Sequence, residues 1–459
     1  MTTVLFVSAY AWADIMDVTP GVLTDSAVVH PTYAQPKTAI PAGVLAGKAN
    51  EDIPISTSKA NALIAQFEAN DAVGTDFSIA IANAQGRIVA GHDPRHAREP
   101  ASTLKTLTVL AAASTLDMGG TLDTQVYLNQ PRGGTATLVL KGNGDMLLGS
   151  FHSDASHING HAGLGTLAQQ TAGALRERGI TSVKLHYDDS LFGSQRYPSN
   201  IATNNPQNRY YTGISSMAVD GGRQWGSGSR PADPDTFDDY PQLSTQPAGD
   251  AARVFAQRLR EQGITVQGDV QEGTVPAGLS PITHVSSAPL SQVMAFLLRH
   301  SDNTLAEEFG RLTALKKGDD NSPQGAVSAV TSTLSALGID TDGLTMADCC
   351  GLSPGSTVSV ATLAAVQARN LRPDGAAAAA EGLSVPGLVG TALNRLADPQ
   401  AAGLLRVKTG SLDSVTSMAG NVSRTNSSVL AFAVIVNNPQ DYEKTRTAID
   451  TFVSGLAGL

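Results

Sequence analysis

Apolar positions along the chain follow two rhythms. Between Ser58 and about Ala69 they recur at helical spacing (Ala62, Leu63, Ile64, Phe67), which predicts an amphipathic helix. Asp76–Asn83 and Arg87–Gly91 are short β-prone runs joined across Ala84, Gln85 and Gly86, and predict a hairpin. Near the other end, Gly403–Leu412, Ser414–Ser423 and Ser428–Asn437 predict three more strands, and Asp441–Leu456 a closing helix. Strands at both ends with helices between them imply one sheet assembled from the two termini, with the middle of the chain inserted. Within that middle, Leu175–Thr181 and Leu259–Thr265 each end a helical run with Gly and then Ile, and Ser335–Ile339 does something similar. Glycine just past a helix end supplies a left-handed cap, and the following Ile starts a strand. The spacing of these units is irregular, so they are recurrent helix-to-strand junctions and not a repeat family. Gly- and Pro-rich stretches near 131–134 and 221–249 predict loops.

Composition narrows the function classes. The chain has 459 residues, room for two or three ordinary domains. It carries 31 basic and 41 acidic residues, net −10, which argues against a nucleic-acid partner. Hydrophobic residues make up 41%, enough for a large core, so global disorder is excluded. Charged residues are only 16%, below the roughly 25% of typical soluble domains, so the surface is clothed in small neutral polar groups. The two cysteines, Cys349 and Cys350, are adjacent, which excludes a disulfide framework and a cysteine zinc site; they read as small buried side chains. Thr3–Ala13 is an apolar run too short to span a bilayer, with Ala9, Ala11 and Ala13 spaced as at a signal-peptidase site. The first basic residue is Lys37, so the positively charged start of a signal is missing and the run reads as a clipped export signal. No other stretch approaches 18 uninterrupted apolar residues, so at most a loose membrane or wall association is expected.

Three short patterns carry candidate chemistry. Ser102-Thr103-Leu104-Lys105 follows Pro100, which suits the first turn of a helix, and Leu104, Leu107, Leu110 and Ala111 give that helix an apolar face. Ser102 and Lys105 then share a face, where a neutral lysine can take the serine proton and the helix start favours a developing oxyanion. Ser301-Asp302-Asn303 sits between the apolar run 293–298 and a second helical run from Thr304, a natural N-cap site. Lys408-Thr409-Gly410 lies on the predicted strand 404–412, where a glycine often marks close approach of a ligand or another backbone. Each pattern alone is common.

In this order and combination the three patterns resemble the serine penicillin-recognising enzymes. The branch they resemble is the D-alanyl-D-alanine carboxypeptidase/endopeptidase family, the class C low-molecular-mass penicillin-binding proteins. That branch carries an insertion after its first motif, and here Lys105 and Ser301 are 196 positions apart. Gly142–Asp145, Asp188–Phe192 and Asp348–Ser353 look similar to family stretches, although the family generally has Ser where this chain has Cys350. The resemblance implies an α/β (α+β) fold of the serine β-lactamase/DD-peptidase type, an antiparallel sheet flanked by helices and interrupted by a β-rich inserted region. Its expected division is an export-signal remnant and linker at 1–54, a peptidase domain at 55–118 and 281–459, and inserted β-rich subdomains at 119–280.

The implied chemistry is an acyl transfer. Ser102 attacks the carbonyl between two terminal D-alanines of a peptidoglycan stem peptide, with Lys105 as general base, kept neutral by repulsion from Lys408. Ser301 relays the proton to the leaving amine and Asn303 holds the acyl-side amide. The N–H groups of Ser102 and Ser411 form the oxyanion hole, and Lys408, Thr409 and Ser411 receive the free carboxylate. Gly410 belongs to the same binding strand, and Leu412 and Asp188–Phe192 are expected at the side-chain pocket. β-Lactam antibiotics would acylate Ser102, and no cofactor is implied. Two relatives in chemistry stay open, a β-lactamase on the same motifs and a non-catalytic cell-wall binding protein. A metal hydrolase using His152, His157 and His161 with Asp145 and Asp154 lacks an H-E-x-x-H pattern, so the histidines read as solvated loop residues. An exported enzyme of the cell wall or periplasm is expected.

Overall fold

The computed structural model divides into two compact units, Met1–Lys48 and Ala49–Leu459. It describes residues 53–459 apart from 131–134, 227–229, 238, 373, 374, 397 and 400, together with helical Val7 and Tyr10. Apart from Val7 and Tyr10, the expected export signal at Thr3–Ala13 lies outside the described residues, as do most of the linker to Pro54 and the expected loop at 131–134.

From Ile53 onward the elements used below are α1 (Thr57–Glu68), β1 (Phe77–Asn83), β2 (Ile88–His92), α2 (Lys105–Ala113), β3 (Asp123–Asn129), β4 (Thr137–Gly142), α3 (Leu164–Arg176), β5 (Ser182–Asp188), α4 (Pro247–Glu261) and β6 (Pro281–Ser286). They continue with α5 (Leu290–His300), α6 (Asn303–Lys317), α7 (Pro323–Ala336), α8 (Val360–Asn370), β7 (Leu405–Leu412), β8 (Val415–Ser423), β9 (Val429–Asn437) and α9 (Tyr442–Gly455).

Five strands from the two ends form one antiparallel sheet in the order β7-β8-β9-β1-β2. Period-two alternation sends the large side chains to one face. Phe77, Ile79, Ile81, Phe432, Val434 and Val436 meet α1 and α9 through Ile64, Phe67, Ile449 and Phe452. The other face is mostly alanine (Ala80, Ala82, Ala419, Ala431, Ala433), so α8 lies close to the strands, with α2 and α7 in the same apolar layer. Leu107, Leu110, Val330, Leu334, Leu363 and Val366 fill that second layer. These strands and helices agree with the sequence reading to within about two residues.

The middle of the chain builds a second, mixed sheet around β5-β4-β3-β6, with Gln271–Glu272 and Thr265–Val266 paired to β5. β4 and β5 run parallel, and β3 is antiparallel to both β4 and β6. This region also holds two helices, α3 and α4, whose Leu167, Leu175, Phe255 and Leu259 pack onto Leu138, Leu140, Val183 and Leu185. Both helices end as the glycine signal predicts. Gly179 and Gly263 take positive φ, and Ile180 and Ile264 donate backbone N–H groups to the carbonyls of Leu175 and Leu259. Gly338 and Ile339 close α7 in the same way, but a loop follows there in place of a strand.

A further apolar cluster joins α2, α5 and α6 to the middle region through Val109, Phe296, Leu297, Phe309, Phe192, Tyr211 and Ile214. That contact fixes α6, and with it Asn303, relative to α2.

Phe432 is fully buried and pairs with Ile81 at the centre of the first sheet. Phe432→Ala is expected to cost about 3–5 kcal/mol through the cavity it leaves. A urea titration should show the lower midpoint with an unchanged slope.

Candidate active site

Pro100 leads into a short 3-10 turn, Ala101–Leu104, before α2 begins at Lys105. Ala101 has φ +49°, a left-handed conformation that costs a non-glycine residue energy, so neighbouring structure must hold it. The holding comes from two sides. On one, β7 lies directly on the turn at Gly410, where an added Cβ would sit 2.7 Å from the Pro100 carbonyl oxygen and 3.1 Å from the Thr103 nitrogen. On the other, a Cβ on Gly351 would collide with the Ala101 carbonyl. The Pro100 carbonyl also accepts the hydroxyls of Thr103 (2.8 Å) and Ser417 (2.7 Å). The close approach expected at Gly410 is therefore that of the serine's own turn.

One turn along, Lys105 is fully buried and its ammonium is spoken for. Nζ donates to Ser102 Oγ at 2.9 Å, to Asn303 Oδ1 at 2.6 Å and to the Cys350 carbonyl at 2.8 Å. The Cys350 carbonyl is aimed by Asp348, whose carboxylate accepts the backbone N–H groups of Cys350, Gly351, Leu352 and Ser353. Both thiols are free and buried, and burial pushes their pKa values well up. What Cys350 contributes to the site is its backbone oxygen, so the departure from the family's Ser leaves that contact intact.

Burial pushes the Lys105 pKa down, with Asp348 and Asp302 partly offsetting it. Lys408 is also fully buried and is pushed well below the ordinary lysine value, by burial first and by Lys105 second. The expected order is thus corrected: desolvation depresses Lys105, and like-charge repulsion falls on Lys408.

Ser301 closes α5 with φ +56° and ψ +35°, and Asp302 caps α6 by accepting the Leu305 N–H at 3.0 Å. This kink throws Ser301 and Asn303 to the same side. Lys408 Nζ donates to Ser301 Oγ at 2.9 Å and to the Thr409 carbonyl at 2.8 Å, while Asn303 Nδ2 donates to the Tyr210 carbonyl at 2.8 Å. β7 is the edge strand of its sheet. Val407 exchanges both backbone bonds with Ser384 on the side away from β8, so by the two-residue period the Thr409 and Ser411 backbone groups point away from β8 as well.

All these groups border one cleft of about 770 Å³. Ser102, Ser301, Asn303, Thr409, Ser411 and Leu412 line it directly; Lys105, Lys408 and Gly410 lie behind its wall. Leu352, from the stretch Asp348–Ser353, also lines the cleft; sequence reasoning missed Tyr210, Tyr240, His300, Thr391 and Arg395, which line it from loops and element ends and carry no motif. Thr391 Oγ1 lies 2.7 Å from Thr409 Oγ1. The stretch Asp188–Phe192, expected at the pocket, is elsewhere. Phe192 is fully buried in the junction core, and the Asp188 carboxylate binds Ser190 and the Val275 N–H. Of the histidine loop, His157 pairs with Asp154 at 2.9 Å. Among the described residues no group of three or more His, Cys, Asp or Glu side chains is placed to hold a metal ion.

The profile of the D-Ala-D-Ala carboxypeptidase 3 (S13) family matches residues 60–239 and 227–457. The chain belongs to that family. It is 31% identical over 448 residues to carboxypeptidase DacB of Mycolicibacterium smegmatis, covering 94% of this chain and 91% of that protein. It is 25% identical over 429 residues to a D-alanyl-D-alanine carboxypeptidase of Actinomadura sp., covering 78% and 77% of the two chains. The crystal structure of Haemophilus influenzae penicillin binding protein 4 superposes with a TM-score of 0.70 at 20% identity, over 88% of this chain and all of that one. The S13 chain is thus a serine-type peptidase with the α/β fold expected of class C low-molecular-mass penicillin-binding proteins.

Behind Lys105, Glu307 is fully buried, with Oε2 accepting the Cys349 N–H at 2.7 Å. Burial and the nearby Asp348 carboxylate raise its pKa from 4.5 to about 8. The folded chain therefore keeps a proton that the unfolded chain releases, so this contribution to stability is full below about pH 4.5 and declines as pH rises toward 8. Glu307→Gln should remove that decline. Denaturant midpoints of wild type and variant, compared across pH 5 to 8, are expected to diverge in the variant's favour as pH rises.

Proposed function

We propose that this S13 enzyme cleaves the terminal D-Ala-D-Ala bond of peptidoglycan stem peptides through an acyl-enzyme on Ser102. The observation that carries the residue roles is a fully buried lysine ammonium 2.9 Å from a serine hydroxyl at the wall of an open cleft. In its neutral form Lys105 takes the Ser102 proton as Oγ attacks the carbonyl carbon. The oxyanion then rests on the N–H groups of Ser102 and Ser411, the latter turned outward at the edge of the sheet. One such donor contributes typically about 3–4 kcal/mol in the transition state. When the C–N bond breaks, the proton taken by Lys105 reaches the leaving amine by way of the Ser301 hydroxyl, and Asn303 holds the acyl-side amide. Water then frees the acyl group and restores Ser102.

Lys408 gives the site its preference for a free C-terminus. Its buried amine lies where a carboxylate beside Thr409 and Ser411 would pair with it as an ammonium. β-Lactams present a strained amide beside a carboxylate and are expected to acylate the same serine. A Haemophilus influenzae penicillin binding protein 4 structure holds a novel β-lactam, which supports this reading. The location follows from the substrate: we place the enzyme outside the cytoplasmic membrane, at the wall, and among the described residues no helix is long and apolar enough to cross a membrane.

Intact-protein mass spectrometry after benzylpenicillin treatment should show one adduct per chain, mapped to Ser102 and absent in Ser102→Ala. Lys408→Ala should slow adduct formation roughly 100-fold, as loss of a charged oxygen contact does. The acylation rate should rise with pH through a midpoint below the ordinary lysine value of 10.5, because only neutral Lys105 accepts the proton. Sustained nitrocefin turnover would point to a β-lactamase. Muropeptide digests should release D-Ala, and cleaved cross-links would add endopeptidase action.

A further inference from the structure

The left-handed Ser301 must be held, and its own helices do only part of this. The remainder comes from a turn in the middle region, whose Arg223 lies 79 positions before Asp302. Arg223 Nη2 donates to Asp302 Oδ2 at 2.8 Å, while Asp302 Oδ1 caps α6. Both side chains are largely buried, the arginine 7% and the aspartate 12% exposed, so little water screens the pair. The guanidinium lies over Phe237, 4.2 Å from the ring centroid. Phe237 stacks in turn on His300 at 4.2 Å and 10°, and His300 Nε2 donates to the Asp235 carbonyl at 2.9 Å. The two residues flanking Ser301 are therefore both gripped, by Arg223, Asp235 and Phe237.

The grip is built into the turn itself. Asp220, Gly221 and Gly222 all have positive φ, a run that folds the chain back so that Arg223 faces α5 and α6. A Cβ on Gly221 would lie 2.7 Å from Arg223 Nη1, in the space the guanidinium needs. The Asp220 carboxylate fixes the turn by accepting Asn159 Nδ2 and Trp225 Nε1, each at 2.6 Å. Of this arrangement only His300 lines the cleft, and the rest of it bears on the two residues beside Ser301.

We propose that Arg223 is a positioning residue, acting through Asp302 and the Phe237–His300 stack to hold Ser301 and Asn303 in line with Lys408 and Lys105. Small displacements of such groups are costly, since a shift of about 1 Å can lose roughly 100-fold in rate. The inference rests on Ser301 and Asn303 taking part in acylation, as proposed above.

The test is the second-order rate of acylation by benzylpenicillin, read as adduct formation on chains whose circular dichroism matches wild type. Arg223→Met is expected to lose roughly 10- to 100-fold, and Arg223→Lys to recover part of the loss because the ammonium can still reach Asp302. Asp302→Asn keeps an N-cap residue and so the helix, yet loses the ion pair. It should lose no more than Arg223→Met, which also gives up the contact with Phe237, and the double variant no more than Arg223→Met, because the ion pair is already gone there. Wild-type rates in folded Arg223→Met, or losses that multiply in the double variant, overturn the proposal. So does failure of Lys to exceed Met. A Ser301→Ala enzyme acylating at the wild-type rate instead overturns the underlying site reading, and the proposal with it.

Discussion

Lys105 has no exposed surface, and nearly everything around the cleft exists to hold its ammonium where it is. A buried lysine must find three acceptors or lose its proton. Here the acceptors are Ser102 Oγ, Asn303 Oδ1 and the Cys350 carbonyl, from three separate parts of the chain. Any one of them out of place would leave a buried donor unpaired. The arrangement thus couples three packing problems: α2 against the first sheet, α6 against α2, and the Asp348 loop against both. Desolvation, which makes the site costly to build, also lowers the lysine's proton affinity and makes it usable as a base.

Backbone strain is concentrated at the same place. Ala101 and Ser301 both adopt left-handed conformations, each immediately beside or at a candidate catalytic serine. Neither is a glycine, so each has to be held by its surroundings. The glycines that the site does use serve another purpose. Gly410 and Gly351 have no side chain where β7 and the Asp348 loop close on the serine turn, and that absence lets two backbones press on it. Rigid surroundings keep the strained turns in place.

Much of this was legible in the sequence. The S-x-x-K, S-D-N and K-T-G patterns, with Ser411 and Leu412 just after the last, placed nine candidate site residues, and the structure brings six of them to the cleft wall and three directly behind it. The terminal strands alternate cleanly, so one sheet assembled from both ends follows from period two alone. Gly179 and Gly263 marked helix ends because only a left-handed residue closes them cheaply. The pocket beyond the motifs was not legible. Tyr210, Tyr240, Thr391 and Arg395 arrive on loops with no periodicity, and Asp188–Phe192, which resembled a pocket element, is consumed by internal hydrogen bonds and the junction core.

The electrostatic assignment divides along the same line. From sequence, two lysines in one site imply repulsion, and the natural guess gave its effect to Lys105. Only the packed structure shows that both are fully buried, so desolvation leads for each and the repulsion falls on Lys408. By itself the sequence determined the chemistry and the strands, because residue type and short-range spacing survive without a fold. Burial, the three-way grip on the lysine and the reach of Arg223 to Asp302 were decided by tertiary structure, because each depends on segments many tens of residues apart meeting at ångström precision.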